Sequence, residues 1–179
     1  MFTIEHERPS DAAGIEQLLD LSFGADRKAK TAYKLRENVA PIHALSFVAV
    51  EEGEIRGTLR FWPVLIGTAA VPALLLGPLA VHPEERGRAM GLALMTHALD
   101  EATRLGHRIV ILVGDAPYYA KVGFHREGAV DLQLPGWVDE DRFLARALVP
   151  GALAGVAGMV RSINPETATV APRKLAARR

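Results

Sequence analysis

The sequence predicts one mixed α/β domain: a central, twisted, mostly antiparallel sheet with one parallel βαβ unit and helices on both faces. Strand-length apolar segments flank Glu52-Gly53-Glu54, a tight-turn signal, which gives antiparallel strands over 45–51 and 55–66. The period then changes. Ala73 to Val81 is almost wholly apolar, the mark of a strand buried on both faces. Leu92, Met95, Thr96, Leu99, Ala102 and Leu105 recur at three- and four-residue steps, giving a helix over 88–105 that ends at Gly106. The β-branched run 108–113 follows, so the two strands pair in parallel through a right-handed crossover.

In chain order, Phe2 to His6 alternates as a strand, and Pro9-Ser10-Asp11 starts a helix over 11–23. A second amphipathic helix is expected over 28–39, closed by Pro41. Beyond the crossover come a short helix or turn over 116–122 and strands near 124–128, 130–134 and 143–148. The domain is expected to fill 1–162. Residues 163–179 lack periodicity and end in Arg178-Arg179, which suits a flexible C-terminal tail.

A chain of 179 residues is long enough to bury a real core. Lys plus Arg and Asp plus Glu both number 21, so the basic excess that nucleic-acid binding needs is missing. With no cysteine, disulfides, thiolate metal sites and cysteine nucleophiles are excluded. The six histidines lack paired ligand spacing and there is no Gly-x-Ser-x-Gly elbow, so neither a metal site nor a serine hydrolase is expected. The N-terminus alternates and carries charge, unlike a signal peptide, and the longest apolar stretches are too short for a bilayer. A cytoplasmic protein without membrane or nucleic-acid partners is the expectation.

The most informative stretch runs from Leu76 through Gly77-Pro78-Leu79-Ala80-Val81-His82-Pro83-Glu84-Glu85-Arg86-Gly87-Arg88-Ala89-Met90 to Gly91. A buried strand ends there and a helix begins. The first turn of a helix exposes unpaired N–H groups and the positive end of its dipole, both of which favour phosphate. Gly87, Ala89 and Gly91 let an anion approach the backbone, and Arg86 and Arg88 add charge. A plain strand–helix connection whose glycines serve packing alone is the alternative. A dinucleotide-binding loop is opposed by the arginines and by the late position of this βαβ unit.

Leu79-Ala80-Val81-His82-Pro83 followed by Arg86-Gly87-Arg88-Ala89-Met90-Gly91 resembles the acetyl-CoA loop of the GNAT superfamily of N-acetyltransferases, Arg/Gln-x-x-Gly-x-Gly/Ala. The departure is Ala89, where the family usually has glycine; a negative φ there would leave anion binding intact. The resemblance implies a GNAT-like fold and acetyl-CoA as cosubstrate. It implies that Leu79, Ala80 and Val81 pair with the pantetheine arm and that the amides of Arg86, Gly87, Arg88, Ala89, Met90 and Gly91 hold the pyrophosphate. The double tyrosine, with Leu134-Pro135-Gly136-Trp137 and Leu148-Val149-Pro150-Gly151, resembles one branch of predicted bacterial GNAT acetyltransferases.

Tyr119, four residues before Gly123-Phe124, stands where GNAT enzymes carry a tyrosine, and the resemblance implies that it protonates the departing CoA thiolate. Tyr118 is expected to pack, and Lys121 to reach a CoA phosphate. Several GNAT enzymes use a glutamate base on the strand before the loop, but Ala73 to Gly77 carries no carboxylate; His43, His82 and Glu37 are the substitutes. The function this implies is acetyl transfer to a primary amine, small molecule or peptide, by direct attack in a ternary complex, without metal. The rival is a non-catalytic acyl-CoA-binding or regulatory module. An exposed sheet edge makes a homodimer a further expectation.

Overall fold

Alternation along the strands decides which face each side chain covers. The computed structural model describes residues 1–164. Its elements are β1 (Thr3–His6), α1 (Ala12–Phe23), α2 (Thr31–Lys34), β2 (Ser46–Glu51), β3 (Glu54–Ile66), β4 (Val71–Leu76) and β5 (Ala80–Val81). They continue with α3 (Met90–Arg104), β6 (Ile109–Val113), α4 (Ala116–Ala120), β7 (Leu132–Gln133), β8 (Phe143–Ala147) and β9 (Gly158–Ser162). The main sheet runs β1-β2-β3-β4-β6-β8 and is antiparallel except where β6 lies parallel to β4. β5 and β9 also pair with β3, and a second short parallel contact joins β7 to β9.

Phe47, Leu59, Phe61, Leu74, Leu76, Val110, Leu112 and Leu144 point to one face, where α3 covers them with Met90, Leu94, Met95, Ala98 and Leu99. The opposite face carries Trp62, Val64, Leu75, Ile109, Ile111 and Phe143. There α1 packs Ile15, Leu18 and Leu19 on Val48 and Ala80. The β2–β3 turn places Glu52 at φ 53° and Gly53 at φ 79°, the double positive φ of a hairpin turn that follows the sheet twist.

Three expectations need correction, and one strand had none. The apolar strand 73–81 is broken: Pro78 has no N–H to give a ladder, and β4 stops at Leu76 before the chain resumes as β5. The helix expected over 28–39 shrinks to a 3₁₀ turn, Arg27–Ala29, and α2. Tertiary contacts overrule its pattern there, because buried Arg27 is drawn to Asp20 and to the Tyr33 hydroxyl, both at 2.9 Å, and Lys30 is extended (φ −71°, ψ 147°). In place of strands over 124–134, His125 makes a single bridge to Ala145, a 3₁₀ turn spans Arg126–Ala129, and only β7 is extended. β9 has no expected counterpart, since glycine at 151, 155 and 158 hides its alternation. Of the tail expected over 163–179, residues 165–179 lie outside the described residues.

Candidate active site

β4 and β6 keep their ladder at only two positions, Leu74 with Val110 and Leu75 with Ile111. Beyond them the strands part. Gly77 N–H donates to Arg60 O at 2.8 Å, and Thr58 and Gly57 pair with Ala80 and Val81, so the departing chain stays on β3 and, among the described residues, its other edge faces no strand. A cavity of about 460 Å³ opens beside this split. Leu79, Ala80, Val81, Arg86, Gly87, Ala89, Met90, Gly91, Tyr118, Tyr119 and Lys121 line it, so ten of the eleven site residues read from the sequence and its resemblance, with Tyr118, surround one space.

Arg88 stands outside that lining. Its guanidinium is held by Glu51 (2.9 Å) and Glu85, and Glu51 also takes the amino terminus of Met1. The amino terminus and Arg88 together hold the Glu51 carboxyl down at about 2. Glu85 is buried at the cavity wall, with Arg88 as its counter-ion. Arg86 is exposed and, among the described residues, makes no ion pair, so its charge is available to the cavity.

The first backbone bond of α3 runs from Ala93 N–H to Ala89 O at 2.9 Å, which leaves the amides of Met90, Gly91 and Leu92 without an acceptor in the helix. They open on the cavity with the positive end of the dipole. Ala89, the N-cap, sits at φ 60°, ψ 8°, so the condition of a negative φ set for it is not met: the alanine takes the left-handed conformation that glycine adopts freely. That arrangement costs about 1 kcal/mol or more in an L-residue. Ala89→Gly is therefore expected to raise stability by up to about 1 kcal/mol, less the extra entropy glycine has when unfolded, as read by urea denaturation.

α4 supplies the opposite wall. Its Asp115 carboxylate accepts from Tyr118 N–H at 3.1 Å and caps the short helix. The Tyr119 ring lies on Gly114, where a Cβ would come within 2.2 Å of it, and meets Phe124 edge-on at 6.2 Å. Burial, with Tyr118 and Asp115 nearby, pushes its hydroxyl up to about 12. The Tyr118 hydroxyl stands beside Gly91, 2.4 Å from where a Cβ would be, and the Lys121 ammonium lies 5.6 Å from the Tyr118 ring centre.

None of the three substitute bases lines the cavity. His43 stacks on His6 with ring centres 6.4 Å apart, and His82 accepts from Glu84 N–H at 3.4 Å at the start of a 3₁₀ turn. Glu37 is exposed and its carbonyl accepts from Asn164. Sequence reasoning missed Ser22 and Phe23, which line the cavity from the end of α1. Their helical spacing marks them only as part of the buried stripe of α1.

The acetyltransferase (GNAT) domain family matches residues 3–126, over two thirds of the chain. This chain belongs to the GNAT superfamily of acetyltransferases. It is 34% identical over 158 residues to the uncharacterized N-acetyltransferase YhbS of Escherichia coli K12, covering 88% of this chain and 93% of that one. It is 31% identical over 125 residues to the uncharacterized N-acetyltransferase YjhQ of the same strain, covering 69% of each. The crystal structure of YhbS in complex with CoA superimposes with a TM-score of 0.76 at 32% identity, covering 90% and 89% of the two chains. A GNAT acetyltransferase from Brucella melitensis in complex with acetyl-CoA gives 0.63 at 29% identity, covering 84% and 90%. Among the described residues of this GNAT acetyltransferase, no helix is long and apolar enough to cross a membrane.

Proposed function

We propose that this acetyltransferase transfers the acetyl group of acetyl-CoA to a primary amine by direct attack in a ternary complex. The observation that carries the proposal is the cavity at the β4–β6 split, with free α3 amides on one side and the half-buried Tyr119 on the other. The free edge of Leu79 to Val81 would pair with the pantetheine arm as an added strand. The α3 amides and Arg86 would hold the pyrophosphate, and Lys121 an outer phosphate. Arg88 would act behind them by neutralising Glu85, which keeps a bare carboxylate away from the phosphates.

In the reaction the amine lone pair attacks the thioester carbon, the C–N bond forms and negative charge develops on the carbonyl oxygen. A backbone N–H of the parted strand near Leu79 to Val81 would stabilise that oxygen. The C–S bond then breaks and the Tyr119 hydroxyl donates to the sulfur. A thiol normally ionises near about 8.5, below this phenol, but the same desolvation penalises the thiolate, and the hydrogen bond forms as the charge appears. The nitrogen loses its proton to water, since among the described residues no carboxylate or imidazole free of a partner lines the cavity.

The pH profile follows from this. An amine acceptor must be neutral to attack, so kcat/KM rises with pH toward the amine's own pKa of about 10. Tyr119 must be protonated, and its raised pKa keeps it so until about 12. Measured with an amine that carries no anionic group, the single-limbed profile is expected to hold through pH of about 10.5; a fall with an apparent pKa near 10 would show that an ordinary tyrosine is titrating. Turnover itself is read by CoA thiol release, to which a chain with no cysteine adds no background. The rival, a non-catalytic acyl-CoA-binding module, predicts acetyl-CoA binding and no thiol release with any amine. Among the described residues the outer edge of β1 has no strand partner, so a homodimer stays part of the proposal, checked by sedimentation velocity.

A further inference from the structure

Arg36 lies just beyond α2 and reaches over β3. Its guanidinium carbon is 4.1 Å from the centre of the Tyr33 ring and 4.8 Å from that of Trp62, which fixes its plane between two aromatic faces. The indole is itself anchored, Nε1 donating to Val39 O at 3.1 Å. Arg36 Nε is enclosed without a hydrogen-bond partner, and among the described residues no carboxylate pairs with this cation.

Its neighbours sharpen the contrast. Arg27 is neutralised by Glu16 and Asp20, and Arg60 by the two oxygens of Glu7 at 2.6 and 2.7 Å. Both lie close enough to act on Arg36, and both are cations. Burial pulls the Arg36 pKa down to about 10, which still leaves it charged at neutral pH. A guanidinium whose polar contact is the Tyr33 hydroxyl and not a carboxylate keeps an uncompensated charge, which an anion arriving from solvent would relieve.

The position is as telling as the charge. Trp62 belongs to the sheet face opposite α3, among Leu35, Leu75 and Ile111. Its ring lies against Gly77, where a Cβ would come within 2.1 Å of it. Gly77 is the first residue beyond β4, where the chain leaves β6. Arg36 thus stands one indole away from the split, outside the cavity lining, on the face opposite the tyrosines and the α3 amides. A thioester carbon lying in the split would be reached by an amine from this side.

We infer that Arg36 binds an oxyanion of the acceptor, so that the substrates are amines carrying a carboxylate or a phosphate. This deepens the acetyl-transfer proposal and rests on it. A planar, pre-oriented guanidinium suits two oxygens of one anionic group. Polyamines and other purely cationic amines would meet uncompensated positive charge.

The test uses the full chain with acetyl-CoA and matched amines: amino acids against their α-amides, and 2-aminoethyl phosphate against ethanolamine. The anionic member of at least one pair is expected to show kcat/KM about tenfold or more above its neutral partner. The two arms then say which oxyanion is taken. Arg36→Met should bring that member down to the neutral level while KM for acetyl-CoA stays unchanged, and Arg36→Lys should recover part of the loss, keeping charge without the fixed plane.

Equal kcat/KM within every pair overturns the inference. So does a loss in Arg36→Met that falls equally on both members, and so does acetyl-CoA binding with no anionic amine turned over. Should Arg36→Met fail to fold, the paired ratios of the unaltered protein still decide. Failure of acetyl-CoA to stabilise the protein would instead overturn the acetyl-transfer proposal beneath it.

Discussion

Tyr119→Phe is expected to lower kcat by about 10²–10⁴-fold, the usual range for losing a general acid, with little change in KM for acetyl-CoA. The variant keeps the ring that packs on Gly114 and meets Phe124, so its unfolding midpoint should stay close to that of the parent. Full activity in this variant would remove the proton-donor role. Tyr118→Phe is the control, because the Tyr118 hydroxyl stands at Gly91 near the expected pyrophosphate site and not on the Gly114 side. A loss confined to Tyr118→Phe would move the role to that hydroxyl.

Gly91→Asp attacks the other wall. A Cβ at this position would lie 2.4 Å from the Tyr118 hydroxyl and 3.4 Å from a Val81 methyl, so the Tyr118 ring would have to move away from α3. The added carboxylate also places negative charge where the free amides would receive a phosphate. Affinity for acetyl-CoA should fall on the order of 100-fold or more, read by isothermal titration. Gly91→Ala measures the steric part alone and Arg86→Glu the electrostatic part alone. Unchanged affinity in all three would place the pyrophosphate elsewhere.

Much of this arrangement was legible in the residues. The change of period between Val81 and Leu92 marks the βαβ unit, and Gly87, Ala89 and Gly91 mark a backbone that an anion can approach. What was not legible depends on contacts distant in sequence. Arg88 reads as a phosphate ligand until Glu51, thirty-seven residues away, is seen to hold it. The break in strand 73–81 is a matter of which neighbour the chain follows: β3 keeps it through Gly77 and Ala80 while β6 loses it. Ala89 could be read as a substitute for glycine but not assigned its φ, since the local cost of a left-handed alanine is small beside the packing of α3. Arg36 gave no signal at all; in sequence it is one more charge near the end of a short helix, and only the fold lays it between Tyr33 and Trp62.

The central claim is that the split and the α3 N-terminus form an acetyl-CoA site, and thermal unfolding with acetyl-CoA, CoA, ATP and NAD in parallel tests it most directly. A ligand at about a hundred times its dissociation constant adds roughly 2.7 kcal/mol to the folded state, a readily measured rise in Tm. Stabilisation by acetyl-CoA and CoA, with ATP and NAD inert, is the predicted result. Stabilisation by NAD without a CoA effect, or no response to acetyl-CoA, would contradict the account.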